Sequence, residues 1–218
     1  MKNPYQYPVF SRPERIADGV VHTVGVALSV AGAVVLLTLA ALQAHDAGTI
    51  TALGIYAATL IATFAASACY HLIPWPAGRA TLRRIDHAAI YLNIAGTYTP
   101  LVVFIGSGFA YTILGVVWAL AAAGMVAKLF FWRTLGRLGA WLYLGMGWLS
   151  VALVWSLFPL LPVGASILIA VGGLLYSSGV IFFSWQNLPF QTAIWHGFVL
   201  IASGCFFAAI CWGALTLS

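Results

Sequence analysis

A chain of 218 residues that is 63% hydrophobic and only 6% charged cannot cover a water-facing surface, for which about 25% charged residues is ordinary. This composition excludes a soluble globular domain and points to an integral membrane protein. Nine Lys and Arg against four Asp and Glu leave a formal charge of +5, which in a membrane chain reads first as a topology signal, and nucleic acid is not an expected partner.

The first residues are polar and proline-bearing, and the apolar run that follows, roughly 20–43, is too long for the core of a signal peptide. The expected division is a cytoplasmic tail over 1–18 and a single transmembrane domain over 19–218. Six further runs reach the length of about 20 residues that a hydrocarbon layer demands. They are 49–72, 86–105, 109–130, 138–157, 163–184 and 192–216. Lipid offers backbone groups no water to bond, and these runs far exceed the roughly 10 residues of a barrel strand, so each is expected to be a helix. The predicted fold class is an all-α membrane protein with seven transmembrane helices.

Polar residues interrupt these spans in an ordered way. Asp18 and His22 stand at the start of the first span, and Ser67 and His71 close the second. Asp86 and His87 open the third, where Asp86, Ile90, Asn93 and Thr97 form a mostly polar stripe. Thr192 and His196 open the seventh. Three of these pairs have the i, i+4 spacing that stacks side chains on one helix face. Pro100 removes a backbone donor inside the third span, freeing a carbonyl for Thr97 or a water to satisfy. Cys69, Cys205 and Cys211 lie inside apolar runs without metal-ligand spacing and read as small buried hydrophobes. Trp75, Trp132, Trp141 and Trp185 fall at span ends, as interfacial anchors do, and Gly172, Gly173, Gly145 and Gly147 are expected points of close helix contact.

Short loops rich in Lys and Arg stay in the cytoplasm. Lys2, Arg12 and Arg15 precede the first span; Arg79, Arg83 and Arg84 separate the second from the third; Lys128, Arg133 and Arg137 surround the turn after the fourth. The intervening loops contain no Lys or Arg, so the expected N-terminus is cytoplasmic and the C-terminus external. That topology brings Asp18, His22, Ser67, His71, Asp86, His87, Thr192 and His196 to one cytoplasmic depth and leaves His45 on the other side. Imidazoles and a carboxylate at one level suit zinc, which takes about four N, O or S ligands and, when catalytic, leaves one position to water. A zinc-bound water has a pKa near 7, and Ser67 is placed to bond a ligand, the water or a developing oxyanion.

Glu14, Asp18 and His22, the string SACYH at 67–71, DHAAIYLNIAGTYTP at 86–100, GLLYSSGVIFF at 173–183 and AIWHGFVL at 193–200 together resemble the hemolysin III branch of the progestin and adipoQ receptor family. The resemblance covers nearly the whole chain. It implies seven helices with a cytoplasmic N-terminus. It also implies zinc held near the cytoplasmic side by one histidine of the second helix and two of the seventh, with an aspartate of the third holding a water. The wider superfamily includes alkaline ceramidases, which hydrolyse lipid amides. Matched position by position, the second-helix ligand is His71, the aspartate is Asp86, the neighbouring serine is Ser67 and the later seventh-helix ligand is His196. The earlier seventh-helix ligand falls at Thr192, which replaces an imidazole poorly, and a further histidine of bacterial relatives falls at Phe206. Three completions remain open: direct ligation by Asp86, an imidazole from His22 or His87, or water.

The expected function is a metal-assisted hydrolase of lipid amides or esters. His71, His196 and Asp86 bind metal, Asp86 also serves as general base, Ser67 steadies developing charge, and a membrane lipid is the substrate or ligand. The alternatives are a lipid-sensing or structural-metal protein without turnover, cytolysis by pore formation, and a proton-linked transporter.

Overall fold

The computed structural model describes residues 10–43, 45–131, 138–185 and 187–217. Lys2, Trp132, Arg133 and Arg137 lie outside the described residues.

Among the described residues six helices are long and apolar enough to cross a membrane: α1 (Arg12–Leu42), α2 (Ala47–Leu72), α3 (Arg79–Ile105), α4 (Gly108–Phe130), α7 (Val163–Ser184) and α8 (Gln191–Thr216). The region expected as the fifth span is a shorter, interrupted apolar segment: α5 (Leu138–Trp148), a 3-10 stretch (Leu149–Leu153) and α6 (Val154–Leu157). Such a stretch leaves carbonyls without the usual α-helical donor. The buried Tyr98 supplies one, donating its hydroxyl at 2.8 Å to Met146 O and 2.9 Å to Gly147 O.

Helix α1 begins at Arg12, well ahead of the apolar run at residue 20, because the sequence there is a strong helix start. Ser11 caps the Glu14 N–H, the Glu14 carboxylate accepts from Ser11 N at 2.8 Å, and a proline occupies the first turn. Asp18 is therefore a helical residue. Helix α3 likewise starts at Arg79, inside the expected loop, and ends at Gly106, whose φ of 66° forms the left-handed cap that glycine favours. It continues through Pro100, and Thr97 donates to Asn93 O rather than to the freed Gly96 carbonyl.

The helices form an arc in the packing order α4, α3, α2, α1, α8, α7. One apolar cluster fills the space among α1, α2, α7 and α8, centred on Leu36, Leu53, Leu60 and Ile210; a second, with Tyr91, Val102, Val117 and Leu153, joins α3 to α4 and to the interrupted segment. Helices α2 and α3 meet closely at Gly96, where an added Cβ would collide with the Thr59 hydroxyl. Of the glycines expected at contacts, Gly172 faces Phe206, whereas Gly173, Gly145 and Gly147 face open space. Trp75, Trp141 and Trp185 are exposed, as an interfacial belt requires.

Candidate metal site

Along α1 the buried positions are Asp18, His22, Gly25, Ser29, Ala33, Leu36 and Ala40, a narrow stripe that keeps one face inward while Val20, Val24 and Leu28 face outward. The first two members are polar. They lie level with the last turn of α2, which carries His71, and the second turn of α8, which carries His196.

Asp18 is the hub of this layer. Its Oδ1 accepts from His196 Nδ1 at 3.0 Å and lies 3.5 Å from His22 Nε2, while its Oδ2 lies 3.0 Å from His71 Nδ1. The imidazoles also touch one another: His22 stacks on His71 with centroids 4.6 Å apart, and His196 lies 4.3 Å from His22 and 4.6 Å from His71. One potential ligand atom from each of Asp18, His22, His71 and His196 falls within 4.8 Å of the others.

Two buried nitrogens in this group, His22 Nε2 and His71 Nδ1, have no hydrogen-bond partner among the described residues; both approach the Asp18 carboxylate without the alignment a hydrogen bond needs. Buried polar atoms are nearly always satisfied, so a convergent pair of orphans demands an explanation. A cation held by these nitrogens and the carboxylate supplies one, and three imidazoles with one carboxylate is a donor set zinc accepts. The residues present therefore fit a metal ion.

Ser67, Asp86 and Thr192 lie on helices that carry or adjoin this group. Ser67 is buried one turn before His71 on α2. Asp86 is buried on α3 outside the four-residue group, with Oδ2 3.3 Å from His87 Nδ1, and it stands within electrostatic reach of His71 and His196. His87 also donates from Nδ1 to Arg83 O at 2.9 Å. Thr192 lines a small cavity of about 10 Å³ with Asp18, Glu14 and Phe190. Phe206 packs against Gly172 and near Tyr176. His45 lies far from the group in sequence and in the fold, its Nε2 2.8 Å from Ala214 O near the end of α8.

Glu14 fixes the height of two ligand helices. Its Oε1 accepts from the Phe190 N–H at 2.9 Å, just ahead of α8, while Oε2 accepts from the Ser11 hydroxyl at 2.7 Å. Phe190 takes a left-handed φ of 58° there, a conformation non-glycine residues rarely hold without support. The start of α1 is thereby fastened to the start of α8.

An all-helical bundle with several apolar spans and a buried histidine–aspartate layer near the ends of three helices defines a multi-pass integral membrane protein. The haemolysin-III related family model matches residues 10–207. The chain is 37% identical over 203 residues to the hemolysin-3 homolog of Bacillus subtilis (strain 168), covering 93% of this chain and 95% of that protein. It is 36% identical over 198 residues to hemolysin-3 of Bacillus cereus, covering 90% of each. It is 30% identical over 165 residues to the monocyte to macrophage differentiation factor of Homo sapiens, covering 72% of this chain and 67% of that protein. The chain belongs to the haemolysin-III related family, and its similarity to the human protein fits the wider resemblance drawn from the motifs.

Proposed function

We propose that the protein is a metal-dependent hydrolase of lipid amides or esters, with its site on the cytoplasmic side of the membrane. The observation that carries this reading is the convergence of Asp18, His22, His71 and His196 around two buried, unsatisfied imidazole nitrogens. Zinc is the metal proposed, held by three of these four residues with a position left to water. When bound, it supplies Lewis acidity and a water with a pKa near 7. Asp86, braced by His87, takes the proton at the edge of the site instead of ligating, because Asp18 already supplies the carboxylate. Ser67 donates its hydroxyl toward developing oxyanion charge. The hydroxyl comes from α2 and the proton acceptor from α3.

The test begins with elemental analysis of untagged protein beside His71→Ala and His196→Ala. Near-stoichiometric metal, lost in both variants and accompanied by hydrolysis of a ceramide-like amide or an acyl ester in the wild type, is the expected result. Well-folded wild-type protein without metal would sink the mechanism.

A second reading has its own observation. Four protein donors already form a closed set, as structural zinc sites do. In that reading the ion ties α1, α2 and α8 together in a lipid-sensing protein, and the distinguishing result is stoichiometric metal without turnover. Two relatives carry the name hemolysin-3. Dose-dependent haemoglobin release from intact erythrocytes, beyond detergent controls, is the result that would transfer that activity to this chain.

A further inference from the structure

A cavity of about 510 Å³ lies between the first turns of α1 and the last turn of α2. Asp18 and His71 line it on the buried side; Arg12, Arg15, Ile16 and Leu72 line it where it opens. Ile16 is 57% and Leu72 45% exposed, and on a transmembrane bundle such apolar residues at the outer edge of two helices meet lipid. Arg15 and Arg12 lie three and six residues before Asp18, about 4.5 and 9 Å along the axis, so the cavity passes from buried metal donors to two guanidinium groups at the membrane interface.

Among the described residues no carboxylate lies in ion-pair range of these arginines. The Glu14 oxygens are taken by Ser11 and Phe190, those of Asp18 by the imidazoles, and neither Arg12 nor Arg15 forms an ion pair among the described residues. Two guanidinium groups a turn apart on one helix face present planar, multiply donating forks of the kind that bind phosphate. The apolar lips reject a fully hydrated ion as the natural occupant and accept an amphiphile whose chains stay in the bilayer.

We propose that the cavity between α1 and α2 binds the phosphate headgroup of an anionic membrane lipid, gripped by Arg12 and Arg15, with the acyl chains passing out between Ile16 and Leu72. The chemistry recognised is a phosphate monoanion or diester, and the apolar lips assign it to a lipid. The binding step stands without the metal. Joined to the hydrolytic reading, on which this extension rests, it names the substrate class: a glycerophospholipid carries its acyl linkage a few bonds from its phosphate, which places that linkage toward Asp18 and His71.

The experiment uses full-length protein in a neutral maltoside detergent, with dioctanoyl phosphatidylglycerol, dioctanoyl phosphatidylcholine and inorganic phosphate as separate probes, read by native mass spectrometry and thermal shift. Phosphatidylglycerol is expected to bind at least about tenfold more tightly than phosphatidylcholine, with inorganic phosphate giving no shift. The preference is expected to vanish in the double variant Arg12→Gln/Arg15→Gln and to persist in Arg83→Gln, an arginine of the same interface outside the cavity. It is also expected to persist in chelator-treated protein and in His196→Ala, so failure of the metal reading leaves this result intact, and the reverse holds too. Equal binding of the two lipids overturns the proposal. So does a preference that survives the double variant, inorganic phosphate binding as well as the lipid, or equal loss in Arg83→Gln, which would mean diffuse interfacial charge. The lipid-free melting temperature of the double variant, expected within a few degrees of wild type because both arginines are exposed, separates lost binding from lost folding.

Discussion

The chain has two buried aspartates near histidines, and their surroundings differ sharply. Among the described residues Asp86 forms its ion pair with its sequence neighbour His87, whose Nδ1 is shared with the Arg83 carbonyl. Asp18 meets three imidazoles from three helices, and two of their nitrogens are left without hydrogen-bond partners. Adjacency in sequence yields a local ion pair, whereas a convergence of helices yields a donor set. The carboxylate best placed to hold a cation is therefore the one from α1.

The sharpest way to break this contrast is to remove a member of the convergent set. Asp18→Ala or His71→Ala is expected to lower metal affinity by more than roughly 100-fold, beyond the 10–100-fold typical of an outer partner, as read by elemental analysis after dialysis. Metal-loaded wild type should also melt higher than chelated protein, by the amount that ligand linkage gives, about 2.7 kcal/mol at 100 times Kd. Asp86→Asn should keep the metal and reduce lipid hydrolysis by about 10²–10⁴-fold. If it strips the metal instead, Asp86 is a ligand and the contrast collapses.

Gly96→Ala disturbs a different contact. Crowding of Thr59 should cost about 1–3 kcal/mol in melting experiments while metal stoichiometry stays unchanged. Glu14→Ala removes the α1 capping box and the link to Phe190. About 1 kcal/mol of stability should be lost, with metal affinity weakened less than tenfold, because the two ligand helices lose their shared height.

The smallest effect is a pH dependence at the opposite end of the bundle. Asp46 caps α2, and the Thr49 hydroxyl, then the Thr49 and Gly48 N–H groups, hold its carboxyl below the ordinary value of 3.8. A depressed folded pKa means the cap contributes fully above that ordinary value and loses its contribution as pH falls through the lower, folded one. Asp46→Asn should flatten this acid limb of a melting-temperature profile and leave metal binding unaltered.

Much of this arrangement was legible from spacing alone. The i, i+4 pair Asp18–His22 marks an inward face, and the charge pattern places that pair level with His71 and His196. What spacing cannot show is distance across helices. A carboxylate that opens the third-span polar stripe looks as near to His71 as one from the first helix, and only the seating of α1 between α2 and α8 brings Asp18 against that imidazole. Thr192 leaves the motif one imidazole short, and in the structure His22 joins the group from another helix. The interrupted fifth segment was hidden for a different reason. Its composition is mostly apolar, and the switch from α to 3-10 winding comes where Tyr98 reaches two carbonyls 48 and 49 residues away, a contact that spacing does not reveal.

That interruption has a mechanical consequence. Five residues wound at about 2.0 Å per residue instead of about 1.5 Å lengthen the segment by roughly 2.5 Å, a stretch that helps a short crossing reach both interfaces. The six long helices, 22 to 31 residues each, can absorb a thicker or thinner bilayer by tilting. Over its described residues 138–157 the fifth segment is shorter than any of these six and is interrupted by its 3-10 stretch. Any change in that winding is felt at the two Tyr98 hydroxyl bonds, which hold the carbonyls just ahead of it.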